Sequence, residues 1–422
     1  MAADKVLVHL NQIFCPNDTG SPLRGKQMDE AVILNDGYIA IKDGNILAVG
    51  EGEVPGELIS SSTEVIDLAG CVATPGLIDS HTHLVHGGSR ENEFSMKLNG
   101  VPYIEILKAG GGILSSVTST RNASFDELVE KSKKHMDTML IHGVTTVEGK
   151  SGYGLEWETE KKQMLVAKKL NEVHPMDVVS TFMGAHAVPS QYKENPETFI
   201  DILINEMIPK VAEENLADFC DIFCEEGVFS VEESRRILTA AREHGLKLKM
   251  HADEIESIGG AELAGELATH SAEHLMAASD EGIRAMAEAG VIANLLPGTT
   301  FSLMKTSYAP ARKMMDNNLA LALSSDFNPG SCPTENLQLI MQLGCLAMRM
   351  TPVEVFNAVT INAAHCLDVA DRVGSLKEGK QADITVFEAP NLDYLLYHFG
   401  VNQVKQVYKK GELVMEDRRV LY

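Results

Sequence analysis

The sequence predicts an α/β fold, a (β/α)8 TIM barrel with a small β-sandwich domain built from both chain termini. Eight apolar, strand-like runs alternate with helical segments through the middle of the chain, which is typical of a closed parallel barrel. Both ends instead carry closely spaced strand-like runs and hairpin-turn signals. A length of 422 residues suits one large barrel plus an addition, and 44% hydrophobic content is enough for a packed core.

The two ends of the chain are predicted to be β-rich. Asp36-Gly37 and Asp43-Gly44 are hairpin-turn signals next to apolar runs. Neither end makes a convincing domain alone, so we expect residues 1–72 and 373–422 to form one composite β-sandwich, with the barrel spanning 73–372. The strand-like runs of the two ends are 6–8, 37–41, 44–50, 382–387, 404–408 and 411–414.

The middle of the chain supplies the eight predicted barrel strands, and most of them end in a polar residue. Helix signals separate the strands: Ser230 and Thr351 each begin a capping box, and Gly245 and Gly290 each follow the end of a helix. The predicted strands lie within 76–83, 144–148, 178–186, 219–224, 246–251, 269–274, 291–296 and 321–326.

The formal net charge of −24, from 60 acidic and 36 basic residues, restricts the possible partners. A nucleic-acid partner is not expected, because phosphates are bound by basic surfaces, and 5% aromatic content offers little for base stacking. A small anionic substrate would need cations close to it, since exposed charges are screened beyond roughly 8–10 Å at cellular salt.

The seven cysteines are odd in number and scattered, which favours free thiols in a reducing compartment over a disulfide framework. Cys220 and Cys224 are interpreted as buried strand residues, because no second cysteine pair is present to complete a metal site. The sequence shows neither a secretory signal nor the ~20-residue apolar run of a membrane span. We therefore expect a cytoplasmic protein with no membrane partner.

Histidines and a carboxylate at strand ends predict a metal site. His81 and His83 face the same side of one strand, because side chains alternate along a strand; two hydrogen-bonded structural histidines are the alternative. His251 is a candidate third nitrogen ligand, and Asp326 ends an apolar strand, where an unpaired carboxylate is costly. Three histidines and one aspartate suit Zn, Fe or Mn, and such an ion lowers the pKa of bound water toward ~7.

Longer motifs resemble a known superfamily. Residues 74–83 (TPGLIDSHTH) resemble the first-strand signature of the amidohydrolase superfamily, and residues 374–383 (GSLKEGKQAD) resemble the segment that returns to its β-sandwich. Within it, the chain is similar over its whole length to the imidazolonepropionase family. The motifs of that closer resemblance are HGGSRENEF at 86–94, EGKSGYG at 148–154, LPGTTF at 296–301 and SDFNPGS at 325–331.

The resemblance implies hydrolysis of 4-imidazolone-5-propanoate to N-formimidoyl-L-glutamate, the third step of histidine degradation, by a homodimer. It implies one metal ion per chain, zinc or iron, held by His81, His83, His251 and Asp326. His86 departs from the family, which has phenylalanine there, and is given no role. The residues expected to surround the substrate are Arg90, Tyr153, His186, Glu254, Asn328, Gly330 and Ser331.

Two of these substrate contacts agree with the chemistry of their side chains. Arg90 carries a planar guanidinium that can bind the propanoate through two donors, and an ordinary ion pair with Glu91 or Glu93 is the alternative. Tyr153 lies between two glycines, where the backbone can approach a ligand, and an exposed loop tyrosine is the alternative. Residues 87–124, which include Gly110-Gly111-Gly112, are expected to form a mobile cover over the site.

Glu254, His274 and Asp326 are the expected catalytic groups. An activated water loses a proton to Asp326 or Glu254 and attacks the ring carbonyl, while the metal and His274 stabilise the oxyanion. Glu254 then protonates the leaving ring nitrogen. His274 is preferred to His270 because it ends its strand. His186 ends another strand and is a candidate donor to the substrate, with a purely structural role as the alternative.

Other site compositions and other functions stay open at this point. One metal is preferred to two, because two-metal members often use a carboxylated lysine on strand four and residues 219–224 contain none. Lys150 is interpreted as an ion pair with Glu148. A metal-dependent deaminase of a nucleobase-like ring is the nearest alternative function, and a non-catalytic barrel scaffold, which would have gaps in the metal set, is the other.

Overall fold

Strands from both ends of the chain form one nine-stranded sheet in the computed structural model, which describes residues 2–101, 105 and 111–422. The amino-terminal strands are β1 (Lys5–Pro16), β2 (Ala31–Lys42), β3 (Asn45–Glu51), β4 (Glu64–Asp67) and β5 (Cys71–Pro75), and the carboxy-terminal strands are β14 (Ile384–Glu388), β15 (Val404–Lys409), β16 (Glu412–Glu416) and β17 (Arg419–Val420). The two halves meet where β5 runs antiparallel to β14, with Thr74 opposite Thr385. The prediction that both ends of the chain combine in one β unit beside the barrel is therefore confirmed.

The turn between β2 and β3 follows one of the two predicted hairpin signals. Asp43 and Gly44 both have a positive φ, 50° and 76°, as a tight two-residue hairpin turn requires. The turn predicted at Asp36-Gly37 is wrong, because β2 continues through both residues. A Cβ on Gly37 would lie 2.7 Å from Ile13 Cδ1, so the glycine allows two strands to approach closely without reversing the chain.

Eight parallel strands in consecutive order form the barrel. They are β6 (Leu77–Asp79), β7 (Val144–Lys150), β8 (Asp177–Ala185), β9 (Phe219–Cys224), β10 (Lys247–Ala252), β11 (Ser271–His274), β12 (Ile292–Leu295) and β13 (Ala320–Leu323). The first and last strands are joined just beyond their carboxyl ends: the amide of Asp326 donates to the carbonyl of His81 (3.1 Å), and the amide of His83 donates to the carbonyl of Phe327 (2.8 Å). The predicted barrel is confirmed, and all eight predicted strands contribute to it.

Helices fill the connections between the barrel strands. Ser230 and Thr351 cap their helices as predicted, each accepting a hydrogen bond from the amide three residues on. Gly290, with a φ of 84°, ends the helix that Ser279 begins. Among the described residues, the α-helices are α1 (Phe94–Leu98), α2 (Ile113–Asn122), α3 (Phe125–Ile141), α4 (Trp157–Val173), α5 (Pro196–Ile202), α6 (Ile208–Glu213), α7 (Val231–Glu243), α8 (Gly260–Glu266), α9 (Asp280–Ala289), α10 (Pro297–Ser302), α11 (Ala311–Asp316), α12 (Leu337–Leu346), α13 (Pro352–Ala358), α14 (Ile361–Cys366) and α15 (Leu392–Tyr397), with a π-helical turn at Leu203–Met207.

A single glycine separates the terminal sheet from the barrel. β5 ends at Pro75 and β6 begins at Leu77. A Cβ on Gly76 would lie 2.3 Å from Thr145 Oγ1, so only glycine fits where the chain passes from sheet to barrel. The proposed domain boundary at 72/73 falls inside β5, and the division into domains stays a prediction.

The segment after β6 carries α1 and α2, which lie next to the barrel mouth. The mobile cover expected for residues 87–124 stays a prediction, and its Gly110 lies outside the described residues. Within the described part of the chain, no helix is both long and apolar enough to cross a membrane.

Candidate metal centre and active site

The barrel brings the four predicted metal ligands together at the carboxyl ends of its strands. His81 and His83 follow β6, His251 lies near the end of β10, and Asp326 follows β13. The Asp326 Oδ1 atom lies 3.4 Å from His81 Nε2 and 3.7 Å from His83 Nε2. The ring centroids of His81 and His251 are 4.6 Å apart.

Two overlapping groups of ligand atoms share His81. One group combines it with His83 and Asp326, and the other with His251 and His274; in each, the ligand atoms lie within 4.8 Å of one another. All five side chains are buried. His274, expected to stabilise the oxyanion, is thus also placed as a candidate ligand. The arrangement is that of a single compact metal site.

The histidine atoms at this centre suit a metal ion. His81 Nε2 and His251 Nε2 are buried and have no hydrogen-bond partner among the described residues, which is costly unless something binds them. Burial lowers the pKa of His251 to about 3 and holds the pKa of His81 and His83 well below the usual range. Neutral imidazoles are the form that binds metal. Three histidines with one aspartate fit one Zn or Fe ion.

Buried carboxylates orient two of the candidate ligands. Glu273 Oε2 lies 2.7 Å from His81 Nδ1, and Asp221 Oδ2 lies 3.0 Å from His251 Nδ1. These contacts engage Nδ1 and leave Nε2 for the metal. Neither carboxylate was predicted from the sequence. For Asp221 the available signal was an acidic residue inside an otherwise apolar strand, because a buried charge needs a partner; the strand of Glu273 is polar and offers no such signal.

Two buried lysines neutralise these carboxylates inside the barrel. Lys150 Nζ lies 2.7 Å from Asp221 Oδ2 and 2.9 Å from Glu148 Oε2, so the predicted Lys150–Glu148 pair is present within a larger network. Lys249 Nζ lies 2.9 Å from Glu148 Oε1 and 3.8 Å from Glu273 Oε1. Burial alone would lower the pKa of Lys150, but Asp221 and Glu148 raise it, so the lysine stays charged.

A cavity of about 650 Å³ opens above the metal candidates, and Glu254 and Asp326 both line it. Glu254 Oε2 lies 3.6 Å from His274 Nε2. Burial raises the pKa of Glu254 to about 7 and that of Asp326 to about 6. Glu254 can therefore exchange a proton near neutral pH.

Arg90 lies in the cavity wall but is already paired. Its Nε and Nη2 atoms each donate to the Glu93 carboxylate at 3.0 Å, which is one of the ion pairs considered from the sequence. Arg90 is therefore paired with Glu93 and also lines the cavity.

Tyr153 and His186 pack against the candidate ligand His83. Tyr153 is 3% exposed, which excludes the exposed loop tyrosine considered from the sequence. The ring of His186 stacks on that of His83 at a centroid distance of 4.9 Å, and His186 Nδ1 lies 3.0 Å from the carbonyl of Gly152. Tyr153 and His186 both line the cavity.

Asn328, Gly330 and Ser331 form one tight turn at the cavity edge. Asn328 Oδ1 accepts hydrogen bonds from the amides of Gly330 (2.8 Å) and Ser331 (2.7 Å). A Cβ on Gly330 would lie 2.0 Å from Arg90 Nη1, so the missing side chain makes room for the guanidinium. Asn328 and Ser331 line the cavity directly.

Two further histidines are placed away from this centre. His86 is buried, with Nδ1 2.9 Å from the carbonyl of His83 and its ring against Phe327. His270 Nε2 lies 2.6 Å from the carbonyl of His365, before β11 begins. Of the two histidines compared for this strand, His274 is the one that joins the metal candidates. Cys220 and Cys224 are buried on β9, as expected.

The chain is similar to known proteins over most or all of its length. The model of the Amidohydrolase family matches residues 72–414. The chain is 61% identical to an imidazolonepropionase of Streptococcus gordonii and 60% identical to one of Streptococcus sanguinis, in each case over 100% of both chains. Among solved structures, it is similar to a zinc-bound adenosine deaminase from Xanthomonas campestris (TM-score 0.74, 17% identity, 100% and 94% of the chains covered) and to a triazine hydrolase variant (TM-score 0.73, 18% identity, 99% and 96% covered). At such low identity, the solved structures show the fold alone.

Proposed function

This chain belongs to the amidohydrolase family, and we propose that the residues at the mouth of its barrel form an active site that hydrolyses a cyclic amide. The enzyme hydrolyses the cyclic amide 4-imidazolone-5-propanoate to N-formimidoyl-L-glutamate, a step of histidine degradation. One observation carries the assignment of residues: a single cavity is lined by the candidate ligands His83, His251 and Asp326 and by Arg90. One end of the substrate can then reach the metal while its carboxylate reaches the arginine.

His81, His83, His251 and Asp326 would hold one Zn or Fe ion in this site. When bound, the ion supplies Lewis-acid chemistry, which makes a water molecule more acidic and polarises the ring carbonyl. Asp221 and Glu273 hold two of the ligand imidazoles in place. Asp326 is engaged by the ligand histidines and by Thr299, so the proton transfer belongs to Glu254.

Glu254 moves the proton in the proposed mechanism. Its carboxylate takes a proton from the attacking water at Oε2 and returns it to the ring nitrogen that leaves when the carbon–nitrogen bond breaks. A pKa of about 7 suits both steps, because the group can gain and lose a proton at neutral pH. His274 Nε2, 3.6 Å from Glu254, lies where it can stabilise the negative charge that develops on the carbonyl oxygen.

The remaining predicted contacts would bind the substrate. Arg90 offers its guanidinium edge to the propanoate, and Asn328 and Ser331 present polar groups beside it. Tyr153 and His186 form the wall next to His83, where they would position the ring. Gly330 has no side chain, which leaves room for the guanidinium of Arg90.

Turnover of 4-imidazolone-5-propanoate by purified protein, with metal content measured on the same sample, tests this proposal. We expect turnover that a chelator abolishes, with about one metal per chain. Glu254→Gln should lower kcat by about 100- to 10,000-fold and still bind the metal. Bound metal without turnover in the wild type would contradict the proposed reaction, and full turnover by Glu254→Gln would contradict the role of that residue.

We also propose that the enzyme is a cytoplasmic homodimer that binds neither nucleic acid nor membranes. Leu346, Tyr397 and Phe399 are 66%, 81% and 65% exposed near the contact of α12 with α15, and such apolar side chains suit an interface between copies. All seven cysteines are free thiols, which suits a reducing compartment. The net charge of −24 opposes binding to phosphate-rich partners.

A further inference from the structure

Arg90 is not a free cation in this site. Glu93 binds it through both carboxylate oxygens at 3.0 Å, and the amide of Gly112 donates to Glu93 Oε1 at 2.7 Å. Glu93 is 2% exposed, so its negative charge is poorly screened by water. The Arg90–Glu93 pair therefore offers donors to a substrate carboxylate but carries no net charge.

Lys97 adds a second cation to this pair. It lies in α1, one turn after Glu93, and its Nζ atom is 3.9 Å from Glu93 Oε2. The same Nζ atom donates to the carbonyl of Gly330 at 3.1 Å, on the glycine against which Arg90 packs. The Lys97 side chain is 21% exposed and lines the cavity. Arg90, Glu93 and Lys97 together carry one net positive charge, which matches one carboxylate.

The other charges of the cavity favour a cation at this subsite. Glu225, Glu226, Glu254 and Asp326 line the same space, so an anion that enters meets several carboxylates. Lys305 also lines it but is exposed. Among the described residues, Lys97 is the lysine of the cavity wall that contacts the Arg90–Glu93 pair.

We propose that Lys97 is a specificity-determining residue, whose ammonium group binds the substrate carboxylate together with Arg90 and supplies the net charge of that subsite. This inference rests on the proposed function, because it takes the propanoate as the group that is bound. An ammonium group can turn from the Gly330 carbonyl to an incoming carboxylate and keep a hydrogen bond in both states.

Binding of two probes to the metal-loaded enzyme tests this role directly. The probes are 3-(imidazol-4-yl)propanoate and its uncharged primary amide, measured by calorimetry. We expect the wild type to bind the carboxylate more tightly than the amide. In Lys97→Met the ratio of these two affinities should fall by about 10- to 100-fold, because a charge-assisted hydrogen bond is removed. Lys97→Arg should keep most of this ratio. Lys168→Met, which removes an exposed lysine from the outer face of α4, should behave as the wild type.

Kinetics on the same variants separate the two proposals. Lys97→Met should raise the KM for 4-imidazolone-5-propanoate by about 10- to 100-fold and change kcat little. If the wild type does not turn over this compound, the proposed function is wrong. If Lys97→Met keeps the wild-type preference for carboxylate over amide, or if the wild type shows no such preference, the role of Lys97 is wrong whatever the turnover.

Discussion

Glu273 orients a candidate metal ligand that lies five strands away along the chain. Its Oε2 atom lies 2.7 Å from His81 Nδ1, and both side chains are fully buried. An acceptor at Nδ1 keeps the proton on that atom and leaves Nε2 with the lone pair that a metal needs. The second oxygen of Glu273 faces Ser271 and Lys249, so the carboxylate is itself held in place.

Glu273→Gln should weaken metal binding without removing a ligand. The amide has nearly the same shape but lacks the charge, and we expect the metal affinity to fall by about 10- to 100-fold. Competition with a chromophoric chelator measures the affinity without reference to turnover. Glu354→Gln is a suitable control, because Glu354 is also buried but caps α13. Equal affinities for Glu273→Gln and the wild type would show that the contact is only structural.

At the scale of residues, the sequence identifies groups that carry chemistry but not the groups that orient them. His81, His83 and Asp326 are recognisable because each follows a strand-like run. Glu273 and Asp221 are not, because their partners lie on other strands, and only the closure of the barrel brings them together. The pairing of Arg90 with Glu93 was one of two alternatives that the sequence left open.

At the scale of elements, the loop after β13 shapes the substrate side of the cavity. Asn328 holds the turn through the amides of Gly330 and Ser331. The turn places Gly330 directly against the guanidinium of Arg90, where a Cβ would meet Nη1 at 2.0 Å. No real contact is that short, so any side chain here would displace Arg90.

Gly330→Ala should therefore impair substrate binding more than folding. We expect KM to rise by about tenfold or more, because a displacement of about 1 Å in a positioning group is costly. Gly56→Ala provides a control in open space, since nothing lies within 4 Å of the added Cβ. Steady-state kinetics with thermal melting on both variants decides the outcome. An unchanged KM for Gly330→Ala would mean that Arg90 does not bind the substrate from this position.

The backbone conformation at the ends of two strands could not be predicted from the sequence pattern. His274 and Asp326 have φ values of 70° and 55°, a left-handed backbone that residues other than glycine rarely adopt. Such conformations persist only where the surroundings hold them. The runs before these residues predict strands, but nothing in them predicts that the chain turns sharply enough to aim both side chains at His81.

At the scale of the whole molecule, the number and order of the barrel strands could be predicted because each strand is a local apolar run. The way the two ends of the chain combine could be predicted only in outline. Their shared sheet depends on the pairing of β5 with β14, more than 300 residues apart, which no local pattern specifies. The predicted domain boundary falls inside β5 for a similar reason, because the sequence of a strand does not show whether the strand belongs to the terminal sheet or to the barrel.

One buried ion pair connects the terminal sheet to the barrel. Lys409, at the end of β15, is 3% exposed, and its Nζ atom lies 2.8 Å from Asp177 Oδ2 at the start of β8 and 2.6 Å from Asp383 Oδ2. Burial alone would raise the pKa of Asp177, but Lys409, together with Lys410 and Arg372, holds that pKa below the usual value of 3.8. The charged form of Asp177 therefore stabilises the contact between the two units.

Asp177→Asn should lower the free energy of unfolding by about 1–3 kcal/mol at neutral pH, because Lys409 loses one of its two carboxylates. A carboxylate whose pKa is depressed by folding contributes fully above its unfolded pKa, about 4, and loses this contribution as pH falls through the lower folded value. The difference between wild type and variant should thus be constant from pH 7 to about 5 and shrink below about 4. Chemical denaturation across this range measures it, with Asp316→Asn as an exposed control. A difference that does not shrink in acid would mean that Asp177 acts through its shape and not its charge, and the two units would then be held together by apolar packing.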